Sequence, residues 1–312
     1  MNNLILPPAI FLMGPTASGK TDLSVQLAKK IDAEIISVDS AMVYKGMDIG
    51  TAKPTLEERQ GIPHHLIDIL DPTEAYSTGS FRKSALQLMD DICQRGKVPL
   101  LTGGTMLYFN SLFNGLAELP EADPEIRKKL DKELEGNGKE SMHERLKSID
   151  PESAKRIHPN DPQRVQRALE VYEISGKPIT QFFTEAQQNP LPFKSIKLIV
   201  APEDRKQLHA KIAQRFKVMV EQGLVDEVSA LYHRGDLTVD MPAIRAVGYR
   251  QAWSYLDGEY DLDTMIEKGI IATRQLAKRQ FTWLRRETDA ILFASWQESL
   301  SEQVFQRIKS DL

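Results

Sequence analysis

Short apolar runs alternate with helical patterns over the first hundred or so residues. The run Ile-Phe-Leu-Met at positions 10–13 is typical of a strand buried on both faces of a parallel sheet. Leu23, Leu27 and Ile31 then recur every four residues, which predicts a helix at 20–31. Further strands are predicted at 33–38 and 98–101, and further helices at 79–95 and from about 105. This alternation predicts an α/β domain with a parallel sheet and right-handed crossovers.

The pattern changes after about residue 119, where helical periodicity continues with little strand signal. It predicts helices at 123–134, 141–149 and 162–175. Beyond them it predicts strands at 196–201 and 291–293, and helices at 205–222, 225–233 and 264–286. We therefore predict an α/β catalytic core formed by residues 1–118 and 196–312. We expect residues 119–195 to be a helical domain inserted into it.

Composition narrows the class of protein. The chain has 312 residues, a net charge of −4 and one cysteine, Cys93, so an intramolecular disulfide is excluded. Its net charge excludes a uniformly basic nucleic-acid coat but not a local basic patch. No run approaches the ~20 apolar residues of a membrane helix. The first eight residues lack a basic region and a cleavage-site pattern, so we expect a cytoplasmic protein without a membrane partner.

The turn after the first predicted strand carries a phosphate-binding pattern, G-x-x-x-x-G-K-[ST]. Its glycines allow successive backbone amides to point at phosphate oxygens, and the following helix adds its positive N-terminal end. Lys20 supplies a full charge, and the Thr21 hydroxyl is a candidate ligand for Mg²⁺, the one cofactor we expect. ATP, GTP and an allylic diphosphate would all fit such a loop. The residues of the loop are Gly14, Pro15, Thr16, Ala17, Ser18, Gly19, Lys20 and Thr21.

Polar residues also follow the second and third predicted strands. Asp39 comes directly after the second strand, and Thr105 follows the third by a short turn. Ligands of open α/β sheets bind at these carboxyl ends. Asp39 is therefore a candidate general base, although a carboxylate that caps the loop or orients Mg²⁺ would fit equally well. Thr105 is either a hydroxyl at the site or a plain helix N-cap.

Eight sequence blocks, in order over nearly the whole chain, resemble the tRNA dimethylallyltransferases, the tRNA isopentenyltransferase family. Together they are far more specific than the phosphate loop alone. The blocks are GPTASGKT at 14–21, SVDS at 37–40, DIGTAKP at 48–54, PHHLID at 63–68, GGTMLY at 103–108, DPQRVQRALE at 161–170, AIRAVGYR at 243–250 and RQLAKRQ at 274–280. The chain lacks the zinc-finger cysteines that eukaryotic members often carry, so it is similar to the bacterial form.

The resemblance implies a P-loop NTPase-like core and a specific reaction. Members transfer a dimethylallyl group from dimethylallyl diphosphate to N6 of adenosine 37, beside the tRNA anticodon. By resemblance, Asp39 is the general base on N6, Thr105 helps to fix that amine, and Arg215 assists the phosphate loop in holding pyrophosphate.

The resemblance also implies which residues contact tRNA, in both the core and the inserted domain. Many members have Gln or Arg directly after Asp-Ser, where this chain has Ala41, which leaves open how the target base is hydrogen-bonded. The implied contacts are Asp39, Ser40, Ala41, Met42, Thr105, Arg127, Gln163, Arg164, Val165, Gln166, Arg167, Arg245, Gly248, Tyr249, Arg250, Lys278, Arg279, Trp283 and Arg285.

The predicted C-terminal helix fits a role in binding the anticodon loop. Residues 273–286 contain five basic residues and no acidic one. Arg274, Lys278 and Arg285 fall within about 40° of one another on a helical projection, so they form one stripe. Three other functions stay open: a small-molecule kinase, an enzyme that prenylates AMP, and a noncatalytic RNA-binding NTPase switch. We expect a monomer, because one tRNA suffices as partner.

Overall fold

The computed structural model of the protein describes residues 6–186 and 191–312. Residues 1–5, which carry part of the expectation about the N-terminus, lie outside the described residues. The chain forms two compact units, a core unit of Met1–Phe109 with Pro192–Leu312 and an insertion unit of Asn110–Leu191. From the sequence we predicted these boundaries at 118/119 and 195/196. Both predicted boundaries lie further along the chain than those of the structure, because a change in the pattern of apolar residues reports secondary structure, whereas the units are defined by packing.

The secondary structure alternates strands and helices in the core unit and is helical in the insertion unit. The strands are β1 Pro8–Met13, β2 Ala33–Val38, β3 His64–His65, β4 Val98–Gly103, β5 Lys194–Ala201 and β6 Ile291–Ala294. The helices are α1 Lys20–Ile31, α2 Leu56–Arg59, α3 Thr78–Gln94, α4 Met106–Asn114, α5 Pro124–Ile149, α6 Pro151–Arg156, α7 Pro162–Ser175, α8 Ile179–Ala186, α9 Arg205–Glu221, α10 Leu224–Tyr232, α11 Tyr249–Leu256, α12 Leu262–Leu284 and α13 Leu300–Ile308.

The described strands form one parallel sheet in the order β3-β2-β4-β1-β5-β6. The central strand β1 is apolar throughout its buried part, and residues 9–13 are fully buried, as expected of a strand covered on both faces. Met13 on β1 is paired with Gly103 on β4, and Val38 on β2 with the same Gly103. The turns after these three strands therefore leave the sheet side by side. The predicted α/β class with a parallel sheet flanked by helices is confirmed.

Two of the hydrophobic clusters among the described residues fix the helices of the core unit. In one, α1 and α13 pack against the sheet, with Leu27 and Val304 fully buried. In the other, α9 to α12 pack around Tyr44 and Met47 of the segment after β2. Glu227 on α10 fixes that segment, because its carboxylate accepts hydrogen bonds from the backbone N–H groups at positions 48, 49 and 50. The C-terminal helices are thus part of the site's scaffold and not an appendage.

The insertion unit has a small core of its own, built from α5 to α8. Leu130, Leu146 and Leu169 are fully buried in it. The sequence predicted two helices at 123–134 and 141–149, and the range of α5 indeed contains two helices that meet at a kink at the non-helical Gly138 (φ 77°, ψ 168°). The short elements α2, β3, α6, α8, α11 and α13 were not predicted. Within the described residues, no helix combines the length and apolar character needed to cross a membrane.

Candidate active site

The phosphate loop has the curled backbone that its sequence predicts. It leaves β1 at Met13 and enters α1 at Lys20, with Ala17 (φ 62°) and Gly19 (φ 86°) in the left-handed region. Gly14 has no room for a side chain, because a Cβ there would lie 2.2 Å from the backbone oxygen of Val200. Such alternating backbone conformations turn amide groups toward a common centre and form an anion-binding concavity at a helix N-terminus.

Two cations and one carboxylate meet beside this loop. The Lys20 Nζ donates to the backbone oxygen of Pro15 at 2.6 Å. Burial and the neighbouring Arg215 charge lower the pKa of Lys20 to about 7, and Asp39 opposes this shift. Burial also lowers the pKa of the Arg215 guanidinium, again against the pull of Asp39. All three side chains line the same cavity, so the structure brings together residues that lie far apart in the sequence.

Asp39 uses one of its two carboxylate oxygens to fix its own turn. Its Oδ1 accepts hydrogen bonds from the backbone N–H groups of Ala41 at 2.8 Å and Met42 at 3.2 Å. No hydrogen bond among the described residues engages Oδ2. The carboxylate therefore caps its loop, which was one interpretation of Asp39. It also keeps a second oxygen that could accept a proton from a substrate, which the interpretation as a general base requires.

Thr105 lies beside Asp39, at the position directly before α4. Its backbone N–H donates to the oxygen of Val38, and its Oγ1 accepts a hydrogen bond from the Ser40 backbone N–H at 3.1 Å. The side chain thus bonds across the sheet edge, to the turn that carries Asp39, instead of capping its own helix. This arrangement favours a role for Thr105 in the site.

These groups line a cavity of about 960 Å³ within the core unit. Three residues expected to contact tRNA, Arg245, Arg279 and Trp283, lie in its wall together with the phosphate loop. The other residues expected in the site that also line it are Thr16, Ala17, Ser18, Gly19, Lys20, Thr21, Asp39, Ser40, Ala41, Met42, Thr105 and Arg215.

The remaining core-unit candidates divide between surface and interior. Arg250, Lys278 and Arg285 are exposed, as contacts to a phosphate backbone require. Tyr249, by contrast, is fully buried, and its hydroxyl donates to the Glu227 carboxylate. Gly248 is also buried. A tRNA contact through the Tyr249 side chain is therefore corrected to a packing role, because the ring belongs to the core between α10 and α11.

Several candidates on the insertion unit are likewise tied to internal partners. Gln163 and Arg164 are exposed, but Val165 is 1% exposed and packs in the core of this unit. Arg127 and Arg167 both bind the fully buried Glu170, at 2.9 and 2.8 Å. Gln166 donates to Asp131 at 2.7 Å. The structure therefore corrects Val165 to a packing residue and shows that both arginines balance a buried charge.

Three polar or aromatic side chains in the cavity wall are among those that the sequence did not predict. Gln280 on α12 bonds directly to the phosphate loop, Lys211 lies one turn before Arg215 on α9, and Trp296 follows β6. The Lys211 Nζ lies 4.9 Å from the centre of the Trp296 ring. The spacing of four between Lys211 and Arg215 was a usable signal, whereas nothing in sequence distinguishes Gln280 from its polar neighbours.

The donor set at this edge fits Mg²⁺ brought in by a diphosphate. Thr21, Asp22 and Asp39 line the same cavity, and hydroxyl and carboxylate oxygens are ligands that Mg²⁺ takes. Within the described part of the chain, no group of three or more His, Cys, Asp or Glu side chains is placed to hold a metal by itself. Few protein ligands are usual for Mg²⁺ that binds through substrate phosphates.

Comparisons with known proteins place the chain in a family. The model of the family described as IPP transferase matches residues 42–287, and that of Isopentenyl transferase matches residues 8–70. A tRNA dimethylallyltransferase of Methylococcus capsulatus is 53% identical over 307 residues, which cover 98% of each chain. A similar enzyme of Nitrosococcus oceani is 53% identical over 308 residues, covering 99% of this chain and 98% of that one.

Solved structures agree with this sequence similarity. The tRNA isopentenylpyrophosphate transferase of Bacillus halodurans is 37% identical, with a TM-score of 0.72 over 97% of this chain and 96% of that one. A eukaryotic dimethylallyltransferase acting on tRNA is 29% identical, with a TM-score of 0.82 over 98% of this chain and 80% of that one. The P-loop NTPase-like core and the resemblance to bacterial members are thereby confirmed, and the chain belongs to the IPP transferase family.

Proposed function

We propose that the protein transfers a dimethylallyl group from dimethylallyl diphosphate to N6 of adenosine 37 in tRNA. The products are N6-dimethylallyladenosine and pyrophosphate. The observation that carries this proposal is the cavity in which Lys20 and Arg215 stand beside Asp39. The names of the relatives, tRNA dimethylallyltransferases, support the choice of both substrates.

The phosphate loop and its two cations provide the site for the leaving group. C1 of an allylic diphosphate can carry positive charge, so the C1–O bond breaks readily once the pyrophosphate charge is neutralised. Lys20, Arg215 and the loop amides are preorganised donors for that charge, which is typically a large catalytic contribution. When bound through Thr21 and the diphosphate oxygens, Mg²⁺ would add further neutralisation there.

Asp39 and Thr105 provide the site for the acceptor. The exocyclic amine of adenine is a weak nucleophile, because its lone pair is delocalised into the ring. As N6 forms its bond to C1, its proton passes to Oδ2 of Asp39, the oxygen that the turn leaves unused. Thr105, held by the Ser40 backbone, helps to fix the amine. The target base must leave its stack, at a cost of a few kcal/mol.

Basic side chains and the half-buried Trp283 provide a surface for the anticodon loop. Arg245, Arg279 and Trp283 lie in the wall of the cavity. Trp283 offers a ring for stacking, and arginines offer bonds to phosphate. Arg250, Lys278 and Arg285 are exposed and extend the positive surface. Local charge of this kind permits tRNA binding despite the net charge of −4.

We further propose that the protein works in the cytoplasm as a monomer. In support of the monomer, one chain contributes every group assigned to the core site. Light scattering in solution would check the monomeric state, and a stable dimer at working concentrations would contradict it.

The substitution Asp39→Asn tests the proposal. It preserves an Oδ1 acceptor for the turn and removes the base, so we expect turnover to fall by about 10²–10⁴-fold. Binding of the anticodon stem-loop should change little, because the shape of the turn is kept. The assay is mass analysis of the RNA after incubation with dimethylallyl diphosphate. Asp240→Asn, at an exposed position, is the matched control.

The same assay separates the alternatives. Phosphoryl transfer from ATP without prenylated RNA would indicate a kinase. Prenylation of AMP but not of the stem-loop would indicate an AMP-prenylating relative. Nucleotide-dependent RNA affinity without any modified base would indicate a noncatalytic switch. Near-wild-type turnover of Asp39→Asn would remove Asp39 from the role of base.

A further inference from the structure

Gln280, near the end of α12, bridges two loops of the active site. Its side-chain Oε1 accepts a hydrogen bond from the backbone N–H of Thr16 at 2.8 Å, and its Nε2 donates to the backbone oxygen of Gly104 at 2.9 Å. The residue is only 7% exposed. One amide group therefore connects the turn after β1 with the turn after β4 and uses both of its ends to do so.

The fit around this bridge is close. A Cβ at position 104 would lie 2.3 Å from the Gln280 Nε2, so this contact requires glycine there. The bond to Thr16 also occupies that residue's backbone amide, so this amide is already paired within the protein. Because Met13 and Gly103 are already paired in the sheet, the bridge extends an ordered register beyond the ends of the strands.

The two bridged loops carry the two halves of the reaction. The turn after β1 is the phosphate loop, which holds the leaving group. The turn after β4 leads to Thr105, whose hydroxyl binds the segment that carries Asp39. The spacing of these turns thus sets the distance between the diphosphate and the acceptor amine. Misplacing reacting groups by ~1 Å can cost about 10²-fold in rate even when both substrates still bind.

We propose that Gln280 is a positioning residue that sets the separation between the diphosphate site and the acceptor site. This inference rests on the proposed transferase function. Gln280 itself takes no part in bond making or proton transfer. Its neighbour Arg279 and, one turn on, Trp283 line the same cavity, so the bridge also fixes the helix that presents these side chains to the RNA.

The test compares Gln280→Leu with Gln280→Glu. Leucine removes both hydrogen bonds at similar volume, whereas glutamate keeps the acceptor for the Thr16 N–H and loses the donor to Gly104. Single-turnover rates of RNA prenylation are measured per folded site, counted by stoichiometric titration with dimethylallyl diphosphate. Gln275→Leu is the matched control, an exposed glutamine on the same helix that does not line this cavity.

We expect the Gln280→Leu rate to fall by at least ~10-fold, with dissociation constants for the diphosphate and the stem-loop within about threefold of wild type. Gln280→Glu should be intermediate and Gln275→Leu normal. An unchanged rate in Gln280→Leu, or a loss confined to substrate affinity, would overturn the positioning role. Failure of wild-type protein to prenylate any RNA while still binding the diphosphate would instead overturn the proposed function and, with it, this inference.

Discussion

At the scale of single residues, the site places positive charge where burial makes it costly. Burial lowers the pKa values of both Lys20 and Arg215, and only Asp39 opposes this in each case. A cavity that holds two such cations is suited to an anionic ligand, because a diphosphate would stabilise their charged forms.

Gly14 shows how closely the phosphate loop is packed, and Gly14→Ala tests it. The added Cβ would lie 2.2 Å from the Val200 oxygen, a backbone atom that cannot move aside easily. We expect destabilisation by roughly 1–3 kcal/mol, typical of overpacking. Because the loop must shift, affinity for dimethylallyl diphosphate should also fall, by about tenfold or more. Denaturant unfolding and calorimetric titration measure the two effects.

Gly136→Ala is the matched control for this substitution. A Cβ at position 136 meets nothing within 4 Å, so both stability and diphosphate affinity should be preserved. Wild-type affinity in Gly14→Ala would show that the loop tolerates a shift and is less tightly defined than the contact with β5 suggests.

At the scale of elements, α12 presents different chemistry on different sides. Thr273, Leu276 and Gln280 line the cavity, whereas Lys278 and Arg285 are exposed. A helix permits this separation because residues four apart lie on one side. One element therefore contributes to the site wall and to the surface proposed to bind tRNA.

The exposed side of α12 can be tested with Lys278→Ala. If Lys278 contacts a tRNA phosphate, its removal should weaken binding and reduce the slope of log affinity against log salt concentration by about 1. Binding titrations at several salt concentrations measure the slope. Lys309→Ala, an exposed lysine at the end of α13, should leave it unchanged. An unaltered slope for Lys278→Ala would contradict a phosphate contact.

Asp150 is a buried carboxylate in the insertion unit whose ionisation is linked to folding. It is 3% exposed, and its carboxylate accepts hydrogen bonds from Ser153 and from both the N–H and the hydroxyl of Thr180. Burial acts to raise its pKa, but the hydrogen bonds prevail and the pKa is lowered. The ionised carboxylate therefore stabilises the fold above the unfolded pKa of about 3.9, and this contribution is lost as the pH falls through the lower folded value.

We accordingly expect Asp150→Asn to destabilise the insertion unit at pH 7 and to flatten its dependence on acid pH. Hydrogen exchange of amides in α6 and α8, followed between pH 7 and the acid range, measures both. A variant that keeps the wild-type pH dependence would contradict this role of Asp150. That outcome would assign the acid sensitivity to other carboxylates, with Glu170 the first to examine.

At the scale of the whole molecule, each of the two units has a hydrophobic cluster of its own. Leu130 and Leu169 belong to the core of the insertion unit, while β1 is buried in that of the core unit. When two units unfold independently, a ligand stabilises only the unit to which it binds. The groups assigned to the diphosphate site all belong to the core unit, which predicts unequal responses to this ligand.

Scanning calorimetry with and without dimethylallyl diphosphate tests this division. We expect two transitions, of which only that of the core unit rises with ligand, by about 2.7 kcal/mol of stabilisation at 100 times the dissociation constant. Spectroscopic melting of Gly14→Ala, in which the ligand effect should be reduced, provides the control. One transition that moves as a whole would show that the units unfold together.

The sequence by itself determined the elements of the site that depend on local order along the chain. An apolar strand followed by a glycine-rich turn and a helix gave the phosphate loop, and strand ends gave Asp39 and Thr105. Parallel strands present their carboxyl ends at one edge, so these residues had to lie near one another. The fold class followed from the same alternation, because each strand needs a crossover helix.

Only the tertiary structure decided which residues are buried and which hydrogen-bond partners the polar ones take. Tyr249 and Val165 lie in motifs that resemble binding sites, yet both are buried. Gln280 lies 264 positions from Thr16 in the chain, and only folding brings its amide to that loop. Local periodicity depends on near neighbours, whereas burial and hydrogen-bond pairing depend on segments that meet in space, and no pattern along one chain specifies that meeting.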